Sequence, residues 1–396
     1  MGSFLYYFFF IIENPVTTDS KDEDYFIVIK TSALIYKKLT MKKIINYNQL
    51  HYPSWLSGFV DGEGCFSISF TKRPANTLGI DVKPSFSLSQ HIRSESCLYD
   101  IQNYFNCGSI RFDKHNQNYK FEIRNLSHIY NYILPHFEKY PLLTNKLNDF
   151  YKFHYICYLM KRKLHLNPLG LETIINLAYS MNNSGVRKFS KYELISLISK
   201  KNISKSINFP NYSSYINNFN NNILDDSETN LKRTENQNQN QNQKQDNLLD
   251  YASWFTGFID GEGCFFVSIL INKQKTALKI TMSFQVDQYE TSKKCIESIK
   301  NYLNCGYIIK RKTKMHSFRV NSIKDIQNII IPHFSKYSLL TNKNKSFLMF
   351  KQLLNITEGK WVNIKDIKIK EIIDLVYDMN PSGKRKYKKE DWLKWI

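Results

Sequence analysis

The chain of 396 residues has no apolar run approaching the roughly twenty residues that a bilayer-spanning helix needs. An apolar stretch at Phe4 to Ile12 covers nine residues without a basic segment before it, so it fits neither a membrane span nor a signal peptide. The seven cysteines form no C-x-x-C pair and no Cys/His cluster at zinc spacing, which argues against a zinc module. Four of them recur as Cys65/Cys264 and Cys107/Cys305, in the manner of small packing residues in a reducing compartment. No Ser/His/Asp arrangement, glycine-rich phosphate loop or helix-turn-helix signature is present. Acidic residues are scarce: 35 Asp and Glu against 55 Lys and Arg leave a net charge of +20.

What remains is a globular chain, since 42% hydrophobic content supports real cores and the length suits two ordinary domains. The positive charge favours a polyanionic partner, although by itself it also fits a ribosomal protein or an anionic membrane surface. The abundance of Asn, Lys, Ile and Tyr suggests an A+T-rich coding sequence of the kind found in organellar genomes.

Ser54 to Phe70 reads S-W-L-S-G-F-V-D-G-E-G-C-F-S-I-S-F, and Ser253 to Leu270 reads S-W-F-T-G-F-I-D-G-E-G-C-F-F-V-S-I-L. Each is an apolar segment of helical length that ends in an acid and a glycine and runs directly into strand-like alternation. Glycines four apart, Gly58/Gly62 and Gly257/Gly261, strip one helix face so that another helix backbone can approach it. The obvious partner is the other copy. Parallel pairing brings Asp61 and Glu63 near Asp260 and Glu262, and carboxylates forced together call for a cation, which makes this a candidate Mg²⁺ site.

The duplication extends further. Ile101 to Ile110 matches Ile299 to Ile308, Leu134 to Lys146 matches Ile331 to Lys343, and Tyr179 to Lys188 matches Tyr377 to Lys386, with an almost constant spacing. The two halves therefore share one fold of class α+β, each reading helix, strand, strand, helix, strand, strand, helix. The expected organisation is an N-terminal extension (1–49), a first repeat (50–200), an Asn/Gln-rich linker (201–247) and a second repeat (248–396).

Aligned with the consensus L-A-G-L-I-D-A-D-G, Leu56 to Gly64 is L-S-G-F-V-D-G-E-G and Phe255 to Gly263 is F-T-G-F-I-D-G-E-G. The chain resembles the single-chain, two-motif LAGLIDADG homing endonucleases. The resemblance implies motif helices paired between two pseudo-symmetric αββαββα repeats, with two antiparallel sheets forming a DNA-binding saddle. It implies a monomer that makes a staggered, metal-dependent double-strand break in a long asymmetric DNA target, with the gene carried in an intron and the protein working in a mitochondrion. The family's second motif acid binds metal, Mg²⁺ or Mn²⁺, and that role falls on Glu63 and Glu262, with Gly62 and Gly261 beside them. Asp61 and Asp260 either cap the helices or hydrogen-bond within their interface. Lys146 and Lys343, in twin L-L-T-N-K segments, are candidates to activate water or stabilise the transition state, and could equally be phosphate contacts or plain surface lysines. His136 and His333, each between Pro and Phe, read as packed interface histidines.

Period-two alternation puts one face of each strand on a core and leaves the other open. In the first repeat the open face is expected to carry Ser67 and Ser69, then Lys83, Ser85 and Ser87, then Arg111, Lys120 and Arg124, with Lys72 and Arg73 at a strand end. In the second it carries Ser268, Lys279, Thr281, Ser283, Gln285 and Arg319, with Lys273 in a turn and Lys310 and Lys312 on a neighbouring strand. Singly these are ordinary solvated residues. As a set they suit a β-surface laid in a major groove, and two sheets end to end cover on the order of twenty base pairs. Arg187/Lys188 and Arg385/Lys386, in twin S-G-x-R-K loops, are expected to clamp phosphates.

The extension is expected to be either a tail packed on the surface or a leader translated from an upstream exon. The tract Q-N-Q-N-Q-N-Q in the linker cannot bury a core and could alternatively drive self-association. The rival to DNA cleavage is a splicing maturase that binds its host intron RNA. A DNA-binding regulator ranks behind both.

Overall fold

A computed structural model describes residues 50–182, 186–199, 209–217, 249–379 and 387–394. The N-terminal extension, most of the Asn/Gln-rich segment and the Arg385/Lys386 pair lie outside them.

Helix α1 (Tyr52–Glu63) begins with a proline in its first turn, where a missing N–H costs nothing, and ends where Gly64 turns into extended backbone with φ −75° and ψ 152°. Residues Ser54 to Asp61 are all buried. A helix apolar on every side belongs in the interior. Strand β1 (Gly64–Lys72) continues from it, followed by β2 (Ile80–His91), helix α2 (Glu95–Phe105), β3 (Ser109–Asp113) and β4 (Asn118–Ile123). Helices α3 (Leu134–Lys139), α4 (Lys146–Lys161), α5 (Pro168–Ala178) and α6 (Lys191–Ser199) complete the first repeat.

The second repeat retraces this path. It comprises α7 (Tyr251–Glu262), β5 (Gly263–Ile271), β6 (Ala277–Tyr289), α8 (Lys293–Leu303), β7 (Tyr307–Lys310), β8 (Met315–Val320), α9 (Ile331–Lys336) and α10 (Lys343–Thr357). A short β9 (Trp361–Asn363) and helices α11 (Ile369–Met379) and α12 (Lys389–Leu393) follow. Helices α2 and α8 stop at the same place in each copy, because Asn106 and Asn304 both adopt the left-handed conformation at φ 49°.

Both sheets are antiparallel, ordered β1-β2-β4-β3 and β5-β6-β8-β7, with β9 adding to β6 in the second. Their inner faces meet the helices through matched aromatic clusters. Phe66 lies against Phe86, Phe137, Phe150 and Phe153 with ring centroids 5.2 to 5.4 Å away. Phe265 lies against Phe284, Phe334, Phe347 and Phe350 at 5.4 to 5.5 Å. Two full cores therefore flank the helix pair.

Part of the interval expected to be linker is docked. A helix over 212–217 packs on α4: Tyr155 donates to the carbonyl of Pro210 at 2.5 Å, and Tyr215 Oη lies 2.8 Å from His154 Nδ1. Phe209, Tyr212 and Tyr215 rest on the first core. The expectation of a linker throughout 201–247 does not hold for these residues, whose aromatic rings supply apolar surface that an Asn/Gln-rich composition does not.

Candidate active site and nucleic-acid face

The two motif helices run parallel and touch backbone to backbone. A methyl group on Gly58 would lie 1.9 Å from the Trp254 carbonyl oxygen, and one on Gly257 would lie 1.9 Å from that of Trp55. Only glycine permits this approach. Further along, the same construction puts Gly62 and Gly261 3.1 Å from one another's Cα, so the C-terminal ends converge. The N-termini are tied as well: the Asp250 N–H donates to Ser54 Oγ at 2.9 Å and the His51 N–H to Ser253 Oγ at 2.8 Å.

Asp61 and Asp260 are buried and fully committed to hydrogen bonds. Asp61 accepts from Trp254 Nε1 (2.8 Å), Leu143 N (2.7 Å), Thr144 N (3.1 Å) and Thr144 Oγ1 (2.5 Å). Asp260 accepts from Trp55 Nε1, Leu340 N, Thr341 N and Thr341 Oγ1 at 2.8, 2.8, 3.1 and 2.5 Å. Burial raises both carboxyls, opposed by these donors and by Lys146 and Lys343 respectively. Of the alternatives the sequence leaves open, hydrogen bonding at the interface describes their contacts, and each bond to an indole crosses from one repeat to the other.

Glu63 and Glu262 stand at the converging helix ends. The Glu63 Cγ lies 3.3 Å from a methyl position on Gly261, and the Glu262 Cγ holds the mirrored place over Gly62. Both side chains open onto the solvent, yet the water lost around them raises both carboxyls, and at Glu262 the charge of Glu63 adds to the rise. Among opposing positive charges, Lys343 of the second repeat acts most strongly on Glu63, and Lys146 of the first on Glu262. An amide stands by each glutamate and draws its carboxyl back down against that rise, Gln90 at Glu63 and Gln288 at Glu262. These glutamines were not singled out from sequence. The available signal was an amide at the same place in both copies, four residues after Phe86 and four after Phe284.

The lysines are half-buried. Lys146 Nζ donates to the carbonyls of Val60 (2.8 Å) and Gly62 (3.2 Å), and Lys343 Nζ to those of Ile259 (2.7 Å) and Gly261 (2.9 Å). They add a donor to last-turn carbonyls, of which Val60 and Ile259 also accept the Gly64 and Gly263 N–H, and set positive charge where the macrodipole is negative. Burial pulls both ammonium groups below the usual lysine range, against Asp61 and Asp260. Neither is a plain surface lysine. The loops that carry them are also bonded across the repeats, Asn342 N to Ser94 Oγ and Asn145 N to Ser292 Oγ, both at 3.1 Å. A cleft of about 450 Å³ opens here, lined by Glu63, Gln90 and Ser94 from one repeat and by Gly261, Asn342 and Lys343 from the other.

The donor set suits a hard divalent cation. Two carboxylates raised by lost hydration meet beside main-chain carbonyls, and Mg²⁺ characteristically takes one or two carboxylates and completes its shell with water and phosphate. Among the described residues no group of three His, Cys, Asp or Glu side chains assembles a closed cage, so the remaining positions fall to the substrate. The histidines stay neutral: burial holds His136 and His333 down at about 3, with Tyr104 and Ser57 against one and Tyr302 and Thr256 against the other.

On the outward sheet faces the strand register carries Ser67, Ser69 and Lys83, then Arg111 opposite Lys120, in the first repeat. In the second it carries Ser268, Lys279, Thr281, Ser283, and Gln285 opposite Arg319. Arg73, Lys273 and Lys312 lie in turns.

Several expectations are corrected. Ser85 and Ser87 are only 7% and 6% exposed, and Ser85 Oγ donates to Glu122 Oε1 at 2.9 Å. Glu122 also holds Lys120 (3.1 Å) and Arg124 (2.8 Å), so two of the expected cations on this face are paired with an acid of the same strand segment. Lys72 falls on the core-side phase of β1 and pairs with Glu193. Lys310 falls on the phase of Ile308 and pairs with Glu290 at 3.1 Å. Its neighbour Arg311, which the alternation missed, bonds Asp287 Oδ2 (3.1 Å) and Ser317 Oγ (3.2 Å) across the open face. Arg187 is no phosphate clamp: it donates to the carbonyls of Ile68 and Met181 at 3.2 Å and to that of Ala178, and lies 4.6 Å over the Tyr179 ring. It covers the free edge of β1. Lys188 is exposed beside Phe189.

Comparison with known proteins gives concordant matches. The model of the LAGLIDADG endonuclease family matches residues 56–157 and again 255–354. A protein of Neurospora crassa described as probable intron-encoded endonuclease 2 is 29% identical over 352 residues, covering 88% of this chain and 70% of its own length. The crystal structure of the I-LtrWI LAGLIDADG homing endonuclease bound to target DNA superposes with a TM-score of 0.63 at 29% identity, covering 83% of this chain and 97% of that one. I-SmaMI, bound to an uncleaved DNA target in the presence of calcium ions, gives a TM-score of 0.64 at 25% identity, covering 83% and 98%.

Proposed function

Because the chain belongs to the LAGLIDADG endonuclease family, we propose that it is a site-specific homing endonuclease that cuts both strands of a long, asymmetric DNA duplex by Mg²⁺-dependent phosphodiester hydrolysis. The observation that carries this reading is the convergence of Glu63 and Glu262 at the ends of two glycine-apposed helices, each with its own glutamine and the other repeat's lysine. Intron homing in a mitochondrion suits the composition and the relatives, and a monomer suits two half-sites on one chain.

Glu63 and Glu262, with the Gly62 and Gly261 carbonyls beside them, are the residues that hold the divalent cation, which supplies Lewis acidity for the hydrolysis when bound. Gln90 and Gln288, one beside each glutamate, are placed to orient the carboxylates. Lys146 and Lys343 bring positive charge to where negative charge grows on the phosphate, in a cleft that limits screening by water. Their place across the repeat boundary assigns each cut residues from both halves. Lys83, Arg111, Lys120, Lys279 and Arg319 supply sequence-independent attraction and base contacts in the flanking major grooves.

The test is incubation with linear duplex spanning the intronless insertion site, with Mg²⁺ and then with EDTA. Cutting in Mg²⁺ alone, lost in Glu63→Gln or Glu262→Gln while duplex binding persists, is the expected result. Binding of intron RNA with no DNA cut under any metal would instead establish the maturase role.

A further inference from the structure

The outward faces of the two sheets differ in chemistry at matched positions. The first repeat carries hydroxyls at Ser67 and Thr71, where the second carries Phe266 and Leu270. Both apolar side chains stand open, each 47% exposed, on the same strand phase as the expected base contacts. Strand β9, which has no counterpart among the described residues of the first repeat, brings Trp361 opposite Lys279, and Lys279 in turn stands opposite Leu270. Leu270, Lys279 and Trp361 thus form one row across three strands, with Trp361 49% exposed.

An aromatic or branched apolar side chain standing free on a sheet face is disfavoured in water unless something covers it. The face continues directly from Glu262 through β5, so its occupant in the proposed complex is the major groove. The lysine within the row selects a polyanion. The apolar group that a major groove offers at base edges is the C5-methyl of thymine. We infer that the second sheet reads thymine methyl groups through Phe266 and through the Leu270/Trp361 pair, whereas the first sheet reads its half-site by hydrogen bonding. This rests on the endonuclease reading above and adds the base class to one half-site. Four residues of strand separate the two contacts, about 13 Å, so the recognised thymines lie about four base pairs apart.

The experiment selects bound duplexes from a randomised library with the full chain in Ca²⁺, then replaces thymine by deoxyuridine in the selected site, one half at a time. Thymine enrichment at two positions of the second half-site is expected, with about a fourfold loss of affinity for each methyl removed there. The same replacement in the first half-site should leave affinity within about twofold. Phe266→Ser and Leu270→Thr, which install the first repeat's residues, should erase the deoxyuridine effect while unfolding at the parental temperature. Selected sites indifferent to the methyl groups overturn the inference and leave the endonuclease intact, whereas failure to select any duplex overturns the endonuclease reading itself. Sedimentation showing a dimer that Phe266→Ser dissolves would assign the patch to a second copy and also overturn it.

Discussion

The indole nitrogen of Trp254 donates to Asp61 Oδ2 at 2.8 Å, although the two residues sit in different repeats 193 positions apart. The bond from Trp55 to Asp260 mirrors it at the same length. Trp254→Phe removes the donor together with the five-membered ring of a fully buried indole, leaving a carboxylate oxygen short of one partner at a cost of about 1 to 3 kcal/mol, with a packing loss in addition. Thermal unfolding of the single variant should fall by several degrees, and the Trp55→Phe/Trp254→Phe double variant should fall further. An unchanged melting temperature would show that the bond does not hold the repeats together.

Two glycines in the same helix should respond oppositely. Gly58→Ala places a methyl 1.9 Å from a main-chain carbonyl that cannot move without parting the helices, and should destabilise by about 3 kcal/mol or more. Gly62→Ala meets Gly261 Cα at 3.1 Å and the flexible Glu262 Cγ at 3.3 Å. It should fold with little loss, yet cut slowly, because the displaced group is a carboxylate of the site. Parallel melting and cleavage assays separate the two outcomes.

The raised glutamates link activity to stability in opposite senses. Their folded-state values lie above those of an unfolded chain, ordinarily 4.5. Their contribution to stability is therefore full below that value and is lost as pH rises through the raised ones. In EDTA at pH 7, Glu63→Gln should melt at or slightly above the parent, since solvent around the exposed carboxyl reduces the gain, while cleavage in Mg²⁺ drops at least about a hundredfold. The acid limb of the cleavage profile should lie above the usual carboxylate range. A variant that melts lower in EDTA would contradict this.

Arginine and lysine on the same side of the molecule should divide by assay. Arg187 is spent on three carbonyls and a ring, so Arg187→Ala should lower stability by about 2 kcal/mol and leave the salt dependence of DNA binding unchanged. In the proposed complex Lys120 faces the groove, and Lys120→Ala should then reduce the slope of log affinity against log salt by about one. Equal slopes for Lys120→Ala and the parent would remove that residue from the contact set.

The fold and the helix pair were legible because the duplication supplied two readings of every element and the glycine spacing specified a close approach. Strand phase was legible where apolar and polar residues alternate strictly, as in β6. It failed at Tyr307 to Lys310, where two consecutive isoleucines precede a run of cations and no phase is marked, so Lys310 was taken for Arg311. Arg187 was misassigned because the Ile68 carbonyl on β1 lies 119 residues away in sequence, and nothing local shows that the chain after α5 turns this side chain back onto Ala178 and Met181. Gln90 and Gln288 escaped notice because an amide at a strand end looks like any solvated residue until the helix end it faces is known.

The reciprocal Asn342–Ser94 and Asn145–Ser292 contacts also bear on how such a molecule can evolve. A gene cut at the Asn/Gln-rich tract would yield two fragments, each missing the serine that steadies its own lysine loop, so each would depend on a second chain to supply it. Divergence is then confined to the outer strands, where new DNA addresses can be acquired while the paired scissors are inherited whole.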